Sequence, residues 1–269
     1  MFWGFTILAL FTVSCDNAFE EMSSKTSEDA ILYSARRALA NGNWTYAISE
    51  FARLSAATRA RVDVVVDHAS AYSGRCGLDF LALASDLDNL GSTAILELAF
   101  TNFPATDASN FADCKLAEDL LKTIIDTDGV VLSERGQFLM AFNSIAKIGS
   151  LLNFRADSDD DNVVDAGWDP CGASGATDLP QNEVSEIGTG IILFYKNMEG
   201  FSLGSAITSQ VDAICTAIDG TPLDFCDAVD TADLDDNHRE LIRGIIRETS
   251  DGLGLGISPG GIIVNACSP

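Results

Sequence analysis

Carboxylates crowd one short stretch of this chain. Asp157, Asp159, Asp161 and Asp165 stand at positions 1, 3, 5 and 9 of the run that begins Asp157-Ser158-Asp159-Asp160-Asp161-Asn162. Alternate acids in a tight loop turn their oxygens inward, and that chemistry suits a hard divalent cation. The second reactive group is the thiol of Cys15. The fourteen residues before it are uncharged and mostly apolar, and those after it are polar and acidic. A thiol at such a border is placed for chemistry at a membrane face. Six more cysteines follow, Cys76, Cys114, Cys171, Cys215, Cys226 and Cys267. None forms the close pair that a structural zinc site uses.

The leader Met1–Ser14 with Thr12-Val13-Ser14-Cys15 resembles a bacterial lipoprotein signal peptide and its lipobox. It departs from that pattern in carrying no Lys or Arg and in having Thr12 where Leu is usual. The resemblance implies that residues 1–14 are removed and that Cys15 is acylated. The product would be held at the extracytoplasmic face of a cell-envelope membrane, inner or outer. A conventional secretory leader is the alternative. As a helix the segment would span about 21 Å, short of a bilayer core of about 30 Å. With Cys15 committed to lipid, six cysteines remain, an even number that can pair fully in an oxidising compartment. The shortest loops favour Cys76 with Cys114 and Cys215 with Cys226.

The acidic run looks like the calcium loops of EF-hands, dockerins and thrombospondin type 3 repeats. That likeness implies Ca²⁺ held by Asp157, Asp159, Asp161, the backbone carbonyl of Val163, Asp165 and Asp169. Position 6 needs a residue that tolerates positive φ, and Asn162 stands there. Trp168 occupies position 12, where an EF-hand has Glu, so Asp169 is expected to reach in through a local bulge. The ion's expected role is structural. A solvated acidic loop is the alternative.

The rest of the chain must position these groups. Its net charge is −24, with 40 acids against 16 Lys and Arg. That excludes a nucleic-acid binder, whose partner needs cations, and disfavours adhesion to anionic lipid through a basic patch. With 47% hydrophobic residues the chain can bury a core. We read residues 1–14 as signal peptide, 15–27 as a lipidated flexible tether, 28–154 as a helical region, 155–180 as the acidic loop and 181–269 as a second helical region. Ser27-Glu28-Asp29 should cap a first helix, and Asn41-Gly42-Asn43 should end it. Trp44, Ala47, Ile48, Phe51 and Leu54 form one helical stripe. Leu116, Leu120, Leu121 and Ile124 form another. The segment 132–154 wraps apolar residues so widely that it should be a buried central helix. Pro180 suits a helix start, and Asp235 or Asp236 should cap the last helix. No period-2 alternation is sustained, so the fold class is all-α.

Residues 38–51 (ALANGNWTYAISEF) and 69–78 (ASAYSGRCGL) resemble tetratricopeptide repeats. Gly42, Ala47 and Phe51 match in the first unit, and Ala71, Tyr72, Gly74 and Gly77 in the second. The likeness implies stacked helical hairpins that present a protein-binding surface. An ordinary all-α domain is the alternative. Catalytic motifs are missing from the sequence, and the two histidines, His68 and His238, read as packing or surface residues. The expectation is therefore a non-enzymatic binding or assembly protein with envelope protein partners. An envelope hydrolase using an acidic site is the alternative.

Overall fold

The computed structural model describes residues 26–79, 94–103, 108–125, 131–171, 179–199, 201, 205–247, 254–255 and 267. Among them no strand occurs, and the fold is all-α. The signal peptide, Cys15 and most of the tether lie outside the described residues.

Helix α1 (Glu28–Ala40) starts where its cap demands. The Ser27 hydroxyl accepts from the Ala30 N–H at 3.2 Å, with Glu28 and Asp29 in the first turn. Gly42 then takes φ +70°, the left-handed conformation that reverses the chain. Asn43 caps α2 (Trp44–Arg53), which buries Ala47 and Phe51 against α1. The short α3 (Ala56–Arg59) leads into α4 (Val62–Cys76), which ends at Gly77 with φ +112°. Val64 and Ala71 of α4 face the small core under α1 and α2, whereas Val65, Val66 and Ala69 face the main core. Helix α4 is thus the wall between two apolar clusters. A Cβ on Gly74 would come within 2.6 Å of the Trp44 ring, so only glycine lets α2 lie this close.

The other described helices are α5 (Ile95–Asn102), α6 (Ala108–Ile125), α7 (Glu134–Ala156), α8 (Gln181–Met198), α9 (Ser205–Ile218) and α10 (Asp236–Arg247). One continuous apolar cluster runs from α4 to α10. Helix α7 begins at a Ser133 cap and is buried on nearly every side, as its wide apolar wrap predicts. Pro180 sits at the N-cap of α8. Asp235 caps α10: its carboxylate accepts the His238 N–H at 3.0 Å, and His238 Nδ1 accepts the Asp235 N–H in return. Helix α5 has Ala94 at its N-cap.

The stripe expected on α6 needs correction. Leu116 is exposed, and the buried face is Asp113, Cys114, Ala117, Glu118, Leu121 and Ile124. Apolar periodicity misplaced it because this face is used for bonds rather than grease. Cys114 is disulfide-bonded to Cys76 of α4. Asp113 holds Arg75 through two contacts of 2.6 Å.

Glu118 belongs to a buried ionic chain. Lys147, in the middle of α7, has no exposed surface. Its ammonium lies 2.7 Å from Glu118 of α6 and 2.9 Å from Glu186 of α8. Each carboxylate offers its other oxygen to a lysine nearer the rim, Lys122 on Glu118 and Lys115 on Glu186, both at 2.9 Å. The Glu118 oxygens meet their ammoniums off the hydrogen-bonding direction, so the attraction there is Coulombic. Opposite charges hold Glu186 below the usual carboxylate range, although burial alone would raise it.

Removing one member of a buried pair leaves its partners desolvated and costs about 3–5 kcal/mol. Lys147→Ala is therefore expected to lower the urea midpoint strongly. Lys147→Met combined with Glu118→Leu and Glu186→Leu should recover much of the loss. A midpoint unchanged in Lys147→Ala would contradict the assignment.

Candidate metal centre

The acidic loop grows out of the C-terminal end of α7. Asp157 is the C-cap residue and is 3% exposed. Its carboxylate accepts the backbone N–H of Asp161 at 3.1 Å and of Asn162 at 2.7 Å, which curls the chain into a loop. Asn162 takes φ +61°, as position 6 requires, and Asp160 takes φ +57°. The Asp165 N–H donates to the Ala156 carbonyl, and the Asp165 carboxylate accepts from the Ser158 N–H at 3.0 Å. The loop thus closes on its own base. Trp168, 5% exposed, drops into the main core and anchors the exit.

This fold brings Asp157, Asp159 and Asp165 together. One oxygen from each lies within 4.8 Å of the others. Two ligands of a single Ca²⁺, each at about 2.4 Å, can be at most about 4.8 Å apart, so the three fit one ion. Among the described residues no Lys, Arg or His lies within ion-pair distance of these three carboxylates. Asp159 is consequently pushed above the usual carboxylate range, first by the charge of Asp161, with Asp165 and Asp157 adding to it. A bound cation would supply the missing positive charge. Asp161 lies beside the group, but one of its oxygens accepts the Val163 N–H at 2.8 Å.

Asp169 does not join them, contrary to expectation. Gly167 at φ +90° turns the chain, the Trp168 ring takes the inward position, and Asp169 points to α10. There it accepts the Cys171 N–H at 2.9 Å and lies 3.6 Å from Arg247. The loop exit is fastened further by Arg243, which donates to the Pro170 carbonyl. Sequence reading passed over both arginines. Arg243 carried a signal, a cation on the buried side of an otherwise apolar stripe, and part-exposed Arg247 follows one turn on.

Six cysteines are paired: Cys76 with Cys114, Cys171 with Cys267, and Cys215 with Cys226. Two of these are the short-loop pairs expected from spacing. The third ties the acidic loop's exit to the C-terminal segment. Neither histidine is set up as a base. His238 serves the α10 cap. His68 is stacked between Phe51 and Tyr72, each ring 5.1 Å away, and burial pushes it down to about 4, with Arg59 adding to the effect.

No family model, curated protein or solved structure matches this chain.

Calcium at a large excess over its Kd should raise the melting temperature by about 5 °C or more over chelated protein. Asp159 accepts none of the backbone N–H bonds that close the loop, so Asp159→Ala should keep the loop and abolish the shift. An equal calcium shift in that variant would dismiss the three-carboxylate site. His68 supplies a pH test. Its folded value lies below the unfolded value of about 6.5, so the unfolded chain takes up the proton first as pH falls. Stability should drop between pH 6.5 and about 4, and His68→Phe should flatten that drop.

Proposed function

We propose that the protein is a lipid-anchored lipoprotein on the extracytoplasmic face of the bacterial cell envelope. On this reading it works as a non-enzymatic scaffold for protein partners, braced by a structural calcium ion. The cysteine pairing carries the proposal. Seven cysteines occur in the chain, and six are engaged in three disulfides. Disulfides of this number belong to an oxidising compartment. The seventh is Cys15, which follows the apolar leader. One unpaired thiol at that border is what acylation would use, and a mature lipoprotein carries more than one chain because a single one binds only reversibly.

Among the described residues no helix is long and apolar enough to cross a membrane, and a lipid anchor would hold such a body at the bilayer without one. The α1–α2 hairpin supports the repeat-like reading through Ala47 and Phe51, both fully buried at the helix contact, with Gly42 in the turn. Hairpins of this kind offer an open face to other proteins. The placement of both histidines in packing and capping roles supports a binding rather than a hydrolytic task.

Membrane fractionation of the native host tests the address. The wild-type protein should sediment with membranes and leave them in detergent. Cys15→Ser should appear in the soluble fraction. Equal membrane retention of the two would remove the anchor from the account.

A further inference from the structure

Cysteines divide the chain unevenly. Cys76, Cys114, Cys171, Cys215, Cys226 and Cys267 form the three disulfides, and residues 16–75 contain no cysteine. Helices α1, α2 and α3 therefore hold to the rest without a covalent staple. Helix α4 is fixed differently. Cys76 ties it to α6, and Arg75 beside it clasps Asp113. Among the described residues, the small core under α1 and α2 takes only Val64 and Ala71 from α4, and its other members come from residues 31–54. Residues 28–61 thus form a cap with its own core. A piece below about 40 residues seldom folds alone without disulfides, a metal or a partner, so the cap's order depends on α4.

His68 sits in that joint. Its ring stacks on Phe51 of α2 and on Tyr72 of α4, each 5.1 Å away, and its Nε2 is buried with no hydrogen-bond partner. Among the described residues the charges near it offer no free anion. Arg59 of α3 opposes a positive charge there. On α2, Glu50 is paired with Arg53 at 2.6 Å. On α4, Asp67 gives one oxygen to Arg36 of α1 and the other to Arg135 of α7, both at 2.7 Å. Glu134 stands beside Arg135 in the first turn of α7. Asp63 is shared by Arg36 and Arg61. Glu28 of α1 accepts the Ser55 N–H at 3.0 Å, and the remaining charges of α1, Asp29 and Arg37, are exposed. A proton on His68 would leave a cation between two rings, with an N–H that has no acceptor, where the cap meets the body.

We propose that residues 28–61 are an acid-released cap: protonation of His68 undocks α1–α3 from α4 as one unit while the disulfide-bonded body stays folded. Native structures open locally in cooperative units of this kind. The direction follows from burial. Burial, with Arg59 adding to it, pushes folded His68 down to about 4, whereas in the opened cap the ring meets water and returns to about 6.5. The open form takes the proton first, so its share rises as pH falls from 6.5 towards 4. At pH 5 that share should be about 30-fold the share at pH 7.5. Asp63 does not release the cap there, since Arg36 and Arg61 hold it below the usual carboxylate range, although burial alone would raise it. Opening would bare Val64 and Ala71 of α4, which the cap covers at neutral pH. The device uses neither Cys15 nor the acidic loop, so it stands apart from the anchored, calcium-braced reading.

Amide hydrogen exchange of the full chain, corrected for the intrinsic effect of pH, tests the cap. Between pH 7.5 and pH 5 the protection of α1 and α2 amides should fall by about 30-fold. At pH 5 they should exchange at least about ten-fold ahead of the amides of α6 and α7. His68→Phe should remove the pH effect in α1 and α2. His68→Gln, neutral at every pH, takes its place if the phenylalanine variant does not fold. The other histidine, His238, caps α10 and is present in both variants. One common protection in all four helices would make the opening global and overturn the cap. Protection unchanged at pH 5 overturns it too. So does a loss that survives the His68 substitutions, which would assign the effect to carboxylates.

Discussion

A single ammonium group with no exposed surface constrains most of this molecule. Lys147 sits midway along the most buried helix, and a charge there is tolerable only with carboxylates at contact distance. Helices α6 and α8 each bring one to the same level, Glu118 and Glu186. Those acids are balanced by Lys122 and Lys115, which reach Asp230 at 3.2 Å and Asp119 at 3.6 Å near the surface. Charges alternate from one end of the chain to the other. A slide of α7 by one turn against either neighbour would strand every member, so the network sets register as well as adhesion. Apolar packing alone sets it less strictly, since neighbouring apolar side chains can substitute for one another.

The same helix organises the rest. Near its N-terminal half, Asn143 accepts from Ser73 of α4 and donates to the Cys114 carbonyl of α6, both at 2.8 Å. Further along, Gly149 lets the α5 backbone approach so closely that a Cβ would collide with the Ala99 carbonyl. Its last residues become the base of the acidic loop, whose exit is bound to α10 through Arg243 and to the C-terminal segment through Cys171–Cys267. Arg155 clasps Glu183 of α8 beside it. A cation held by Asp157, Asp159 and Asp165 would therefore brace the end of the central helix against the last one. That would be a structural role.

Legibility in the sequence followed the range of the interaction. Ser27 and Asp235 act on an N–H three residues away, so their caps could be read directly, whereas Asn43, read as the end of α1, caps α2 through the same spacing. Asn162 was readable for the same reason, because the loop's own spacing sets its φ. Asp169 was not, since its partner Arg247 is distant in sequence and the indole of Trp168 displaced it from the loop. Leu116 misled because a leucine on a helix counts as apolar wherever it points, whereas Glu118 was hidden because a glutamate counts as surface. The short cysteine loops were legible from separation. The long one, Cys171–Cys267, depended on where the whole chain returns.

What the sequence determined by itself was local: helix ends, the all-α class, the curl of the acidic loop and the isolation of Cys15 at an apolar border. Tertiary structure alone decided which charges lie together. It placed Lys147 between two carboxylates, turned Asp169 away from its neighbours and brought Arg36, Arg61 and Arg135 onto Asp63 and Asp67. The physical reason is that hydrogen-bonded turns are closed by residues a few places apart. Coulombic partners are chosen by packing, which brings together groups that no spacing in the sequence relates.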